Sequence, residues 1–73
     1  MATAKELQDT KSAGLRELLH DAQQLRDKLN AVHALVADDG DVSLDLTDAH
    51  FHIREAIPFI EAAAIDSDAA ATA

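Results

Sequence analysis

The sequence contains no cysteine, tryptophan or tyrosine, and it has only two glycines, one proline and two phenylalanines. Small secreted domains commonly depend on disulfides, so a chain without cysteine is expected to be cytoplasmic. The scarcity of glycine and proline favours long helices over a β-fold rich in turns. Because the chain has two phenylalanines and neither tryptophan nor tyrosine, it has few aromatic rings that could stack on nucleobases.

Long apolar runs are also missing. No run approaches the roughly 20 residues that a transmembrane helix needs. Residues 1–11 are polar and lack the apolar region of a signal peptide. We therefore expect neither membrane association nor secretion, and a chain of 73 residues allows one small domain.

Basic residues are few and unevenly distributed. Six Lys and Arg residues stand against fourteen Asp and Glu residues, for a formal net charge of −8. Residues 1–37 have no net charge, so the whole excess lies in residues 38–73. Duplex nucleic acid and anionic membranes need a basic face, and neither is expected as a partner. The acidic half is compatible with a basic protein partner, or with a solvated surface that keeps the chain soluble.

The first half of the chain contains a regular apolar heptad repeat, which predicts a helix packed against another helix. The repeat consists of Leu15, Leu18, Ala22, Leu25, Leu29, Val32 and Val36. Thr3 and Glu6 have the spacing of a capping box at its start. Gly14 leaves two versions open: one helix over 4–37, or a short helix over 4–12 before a long one over 14–37.

A second helix is expected from about residue 45 or 47 to Ile65, in a repeat of Leu46, Ala49, Ile53, Ala56, Ile60 and Ala63. Small side chains at one heptad position would let two helices approach closely. Gly40 is expected to adopt a left-handed conformation in the loop before this helix. Pro58 is expected to kink or end the helix. Residues 66–73 are expected to form a disordered tail rich in Ala and Asp.

These features predict an all-α domain over residues 1–65, an antiparallel helical hairpin with a short N-terminal helical segment. The second helix has apolar residues on more than one side, and a helix that is apolar most of the way round is usually buried. A chain this small commonly obtains the missing burial by association. We expect a homo-oligomeric helical bundle, with cover by the N-terminal segment or by a different protein as the alternatives. The expected oligomer or partner interface residues are Leu19, Phe51, Ile57, Phe59 and Ile65.

No combination of residues predicts catalysis, a cofactor or a metal site. His50 and His52 are two positions apart and would point away from each other on a helix. The acidic run around Gly40 lacks carboxylates at the first and last positions of a calcium loop. Three basic side chains along the first helix could be brought together in an oligomer around an anionic small molecule, or could form ion pairs on a solvated face. These candidate ligand-binding residues are Arg16, Arg26 and Lys28.

Two stretches carry a resemblance to a known family. Residues 16–18 (Arg-Glu-Leu) resemble an aromatic-Arg-x-Leu motif, and residues 49–57 resemble a His-Leu-Gln-Gln-Gly-Phe segment. Both belong to the helical-hairpin domain of phage anti-CBASS cyclic-nucleotide sponge proteins. Over residues 14–64 the resemblance implies a short N-terminal helix, two long helices and a compact oligomer that sequesters nucleotides. The family's base-stacking Tyr corresponds to Leu15 and its phosphate-binding Lys to Asn30, so the resemblance implies the fold and a phage setting more than nucleotide binding.

The functional expectation is a small, non-catalytic, oligomeric binding protein. Its most specific form is a phage-type inhibitor of a host defence system, located in the host-cell cytoplasm. Such an inhibitor would sequester a ligand or cover a protein surface. The alternative is an acidic structural, adaptor or antitoxin-like subunit that binds a basic protein partner.

Overall fold

Two antiparallel helices make up almost all of the molecule. The computed structural model describes residues 3–72. Helix α1 spans Ala4–Leu35, helix α2 spans Gly40–Thr72, and residues 36–39 form the turn between them. The helices pack along their length into a rod of 54 × 19 × 14 Å. The predicted all-α helical hairpin is therefore confirmed.

Helix α1 is continuous, which decides between the two versions of its N-terminal part. Thr3 is the N-cap, and its Oγ1 accepts a hydrogen bond from the backbone N–H of Glu6 at 3.1 Å, as the capping-box spacing predicts. Gly14 lies inside the helix, at a cost of roughly 1 kcal/mol relative to alanine, which is too little to interrupt it. The prediction of a separate N-terminal helical segment is wrong.

The turn is shorter than predicted because the acidic run begins α2. The Oδ1 of Asp39 accepts a hydrogen bond from the N–H of Val42 at 3.4 Å, and the Asp39 carbonyl accepts one from the N–H of Ser43 at 2.8 Å. Asp41 in the first turn adds a charge that the positive end of the helix dipole favours. Gly40 is the first residue of α2 and has no positive φ, so the predicted left-handed glycine and the later helix start are both wrong.

Helix α2 continues through Pro58 and past Ile65. Pro58 removes one backbone hydrogen bond but does not end the helix. Residues 66–72 remain helical, so the predicted disordered tail is wrong for them, and Ala73 lies outside the described residues. Alanine, which has the highest helix propensity, dominates this segment. Over the described residues, neither helix has an apolar stretch capable of crossing a bilayer.

The two helices meet along a narrow band that we call the hairpin core. Among the described residues, the apolar side chains buried there are Ala22, Ile57 and Ala64. Half-buried side chains extend the band in both directions: Leu15, Leu19 and Leu29 of α1, Val36 of the turn, and Leu46, Ile53 and Ile60 of α2.

The hairpin core is rotated relative to the predicted heptads. The predicted repeat of each helix has two apolar heptad positions. The residues at one of them pack in the hairpin core, and those at the other lie beside it on the surface. Leu18, Leu25 and Val32 of α1 are exposed, and so are Ala49 and Ala63 of α2. Leu19 of α1 and Ile57 of α2 pack in the core instead.

Candidate interaction surface

Polar contacts close the open end of the hairpin and determine which faces meet. The hydroxyls of Ser12 and Ser67 lie 2.8 Å apart, and Ser12 is 3% exposed. Gln8 Nε2 donates to the backbone oxygen of Ser67 at 2.9 Å and to its Oγ at 3.0 Å. Beside them, Arg16 Nη1 donates to Asp68 Oδ1 at 2.7 Å. These contacts also hold residues 67 and 68 against α1, which explains why α2 extends so far.

A second polar contact lies beside the turn. His33 Nε2 is 3.0 Å from Ser43 Oγ and 3.3 Å from Thr47 Oγ1. The Thr47 hydroxyl also donates to the Ser43 carbonyl oxygen at 2.9 Å. Together with the contact at the open end, this pairing sets the register of the two helices: Leu25 of α1 is level with about residue 52 of α2 at the helical rise of ~1.5 Å per residue.

A row of large apolar side chains runs along α1 beside the hairpin core. Its members lie seven or eleven residues apart, so they share one side of the helix. Each of them is exposed, and Leu25 retains 54% of its surface. The row consists of Leu7, Leu18, Leu25 and Val32.

A matching row of small side chains runs along α2. Ala49, Ala56 and Ala63 lie at heptad spacing and flank the hairpin core of that helix. Continued by seven residues, this row reaches Ala70, and the α1 row continued from Leu7 reaches Gly14. An open depression of ≈ 580 Å³ between the helices is lined by both Gly14 and Ala70.

The two rows therefore lie on the same side of the hairpin. We call them together the leucine–alanine face. Sequence reasoning found all of its residues except Leu7, since they occupy one of the two positions of each predicted heptad repeat, but it placed them between the helices of one chain.

A second group of exposed apolar residues lies on the outer surface of α2, while Leu35 at the end of α1 and Val42 near the start of α2 are also exposed. Leu44, Phe51, Pro58 and Ile65 follow one another at seven-residue intervals on this helix, and Phe51 is 60% exposed. Phe59 is also exposed. The acidic side chains Asp41, Asp48 and Glu55 form an exposed row parallel to this apolar row. Each lies three residues before one of its members Leu44, Phe51 and Pro58. We call this combined apolar and acidic area the outer surface of α2.

The structure separates the predicted interface residues into two groups. Phe51, Phe59 and Ile65 are exposed, and Phe51 and Ile65 lie away from α1, as the sequence indicated. Ile57 is only 7% exposed and lies in the hairpin core, so its prediction as an interface residue is wrong. Leu19 is half-buried in the same band. The physical reason is the rotation of the core, which turns both of these side chains toward the other helix.

The three basic side chains predicted to bind a ligand are not brought together within the hairpin. Arg16 is paired with Asp68, and Arg26 Nη2 lies 3.2 Å from Oδ1 of the adjacent Asp27. Arg26 and Lys28 are two residues apart on a helix and point about 200° away from each other. Lys28 lines an open depression of ≈ 490 Å³ whose other charged residues are Asp21 and Asp27, an acidic rather than an anion-binding environment.

Within residues 3–72, no group of three or more His, Asp or Glu side chains is placed to hold a metal ion. Over the same residues, every buried side-chain nitrogen or oxygen has a hydrogen-bond partner. What distinguishes the molecule is exposed apolar surface arranged in regular rows.

The total exposed surface of the hairpin is large for a chain of this size. The hairpin exposes 5498 Å², whereas the scaling law for compact monomers gives about 4,400 Å² at a mass of 7.8 kDa. The excess is about 1,100 Å². Its Cα radius of gyration is 16.6 Å, against about 11 Å for a compact domain of the same length.

No family model, curated protein or solved structure matches this chain. The fold and the surface themselves define the class of protein. It is an all-α antiparallel helical hairpin with a narrow core and extensive exposed apolar rows.

Proposed function

We propose that this protein is a non-catalytic binding protein that acts as a homo-oligomer. The observation that carries the proposal is the excess exposed surface, about 1,100 Å² beyond that of a compact monomer. Soluble monomers rarely leave contiguous apolar patches larger than a few hundred Å² uncovered, and larger patches mark interaction sites. The exposed apolar rows are therefore expected to pack against another protein surface, in the first place that of a second copy of the chain.

The partner of the oligomer is proposed to be a protein rather than a small anionic ligand. Arg16 and Arg26 already contact carboxylates, and Lys28 points away from Arg26. The outer surface of α2 offers two exposed phenylalanines, the side-chain type that is enriched at protein interfaces. In the phage-type inhibitor role implied by the family resemblance, this corresponds to covering a protein surface and not to sequestering a nucleotide.

The native mass of the purified protein tests this proposal. At tens of micromolar we expect a mass greater than that of one chain by light scattering, and a melting temperature that rises with protein concentration, because association stabilises the folded state by mass action. Cyclic di- and trinucleotides, added in turn, should leave both quantities unchanged. A single-chain mass with cooperative, concentration-independent melting would overturn the proposed oligomer. A large rise in melting temperature with one nucleotide would show that the partner is a small ligand and not a protein.

A second function, an acidic adaptor for a basic protein, is favoured by the row of Asp41, Asp48 and Glu55. Exposed charges at heptad spacing beside an apolar row would suit a basic amphipathic helix. Binding to such a partner should weaken at least tenfold between about 50 and 500 mM salt, since exposed charges are screened. The double variant Asp48→Asn/Glu55→Gln should lose affinity, while the control Asp9→Asn on α1 should not. Salt-independent binding would exclude this function.

A further inference from the structure

We propose that a second copy of this chain docks on the leucine–alanine face. The two copies are related by a two-fold axis along the hairpin, so that α1 of each lies over α2 of the other. This inference rests on the proposed homo-oligomer and states which surface forms it. The product is a four-helix bundle in which the leucine–alanine faces are buried and the outer surface of α2 stays accessible.

The shape of the face is what selects a copy of the same chain. A two-fold interface uses the same patch on both partners, so the patch must complement itself. The leucine–alanine face does so because it carries large side chains on one helix and small ones on the other. Rotation about the axis places the large row of each copy against the small row of its partner.

The register of the hairpin makes the two rows interdigitate. Leu25 is level with about residue 52, which lies between Ala49 and Ala56. The same offset places Leu18 between Ala56 and Ala63. Leu18 and Leu25 of one copy therefore each meet a gap between two alanines of the other, as knobs-into-holes packing requires.

The area involved matches what a stable dimer needs. Each hairpin has an excess of about 1,100 Å² of exposed surface over a compact monomer. A standard stable interface buries about 800 Å² per partner. Docking on one face therefore removes most of the excess without using the outer surface of α2.

Replacing Leu25 by aspartate tests the location of the interface. The matched control is Phe51→Asp, because Phe51 has a similar exposure, 60% against 54%, but lies outside the face. In sedimentation equilibrium, we expect Leu25→Asp to have the mass of one chain at concentrations where the wild type and Phe51→Asp have the mass of two. Circular dichroism should show unchanged helix content in both variants, since neither side chain is in the hairpin core.

The neighbouring alanines test the orientation of the two copies. Ala63→Leu should raise the dimer Kd at least tenfold by filling a gap that the partner occupies, while Ala62→Leu, on the next side of the helix, should leave it unchanged. An unchanged Kd for Ala63→Leu would overturn the placement of α1 over α2.

The outcomes also separate the two proposals. A wild-type protein with the mass of one chain throughout would refute the proposed oligomer itself. A wild-type dimer that survives Leu25→Asp, or that Phe51→Asp dissociates, would refute only the leucine–alanine interface.

Discussion

Replacing Ile57 by alanine is expected to lower the free energy of unfolding by about 2–5 kcal/mol, the range for truncating a buried isoleucine. Ile57 is 7% exposed and is the largest of the apolar side chains buried in the hairpin core among the described residues. Small domains have total stabilities of roughly 5–15 kcal/mol, so the loss is a large part of what is available. Urea denaturation followed by circular dichroism, at one fixed protein concentration, measures it.

The control for this prediction is Phe51→Ala. It removes a larger side chain, but one that is 60% exposed and outside the core, so a change within about 0.5 kcal/mol is expected. The comparison separates burial from size. Equal losses in the two variants would show that Phe51 is covered in solution and that the hairpin core is not centred on Ile57.

The second large effect is expected from Ala64→Leu. Ala64 is 4% exposed, and a larger side chain at this position would force the two helices apart. Overpacking of this kind costs about 1–3 kcal/mol. The expected result is a lower melting temperature, again compared at one protein concentration.

Ala62→Leu provides the matched control, because the same substitution is made two residues away at an exposed position of α2. Its effect should lie within about 0.5 kcal/mol. Ala62, Ala63 and Ala64 are thus expected to report three environments: solvent, the dimer face and the hairpin core. If Ala64→Leu were as well tolerated as Ala62→Leu, the close approach of the helices at the open end would be contradicted.

Of the residues that sequence reasoning missed, Asp39 carried a local signal that could have found it. Asp39 stands just before a run with an acidic first turn, which is the pattern of a helix N-cap, yet glycine at position 40 was interpreted as a loop residue. Ser67 and Asp68 look like parts of a polar tail when considered alone. Their role depends on Ser12, Gln8 and Arg16, which lie more than fifty residues away in the chain.

The amino-acid sequence by itself determined the helical class, the capping of α1 by Thr3 and the exposure of Phe51, Phe59 and Ile65, because these depend on local spacing and on the period of one helix. Only the tertiary structure decided which apolar row faces the other helix. Each helix has two adjacent rows of nearly equal apolar character, and periodicity cannot choose between them. The polar contacts Ser12–Ser67 and His33–Ser43 select one rotation, since turning either helix would separate the buried Ser12 hydroxyl from Ser67 and the half-buried Ser43 hydroxyl from His33.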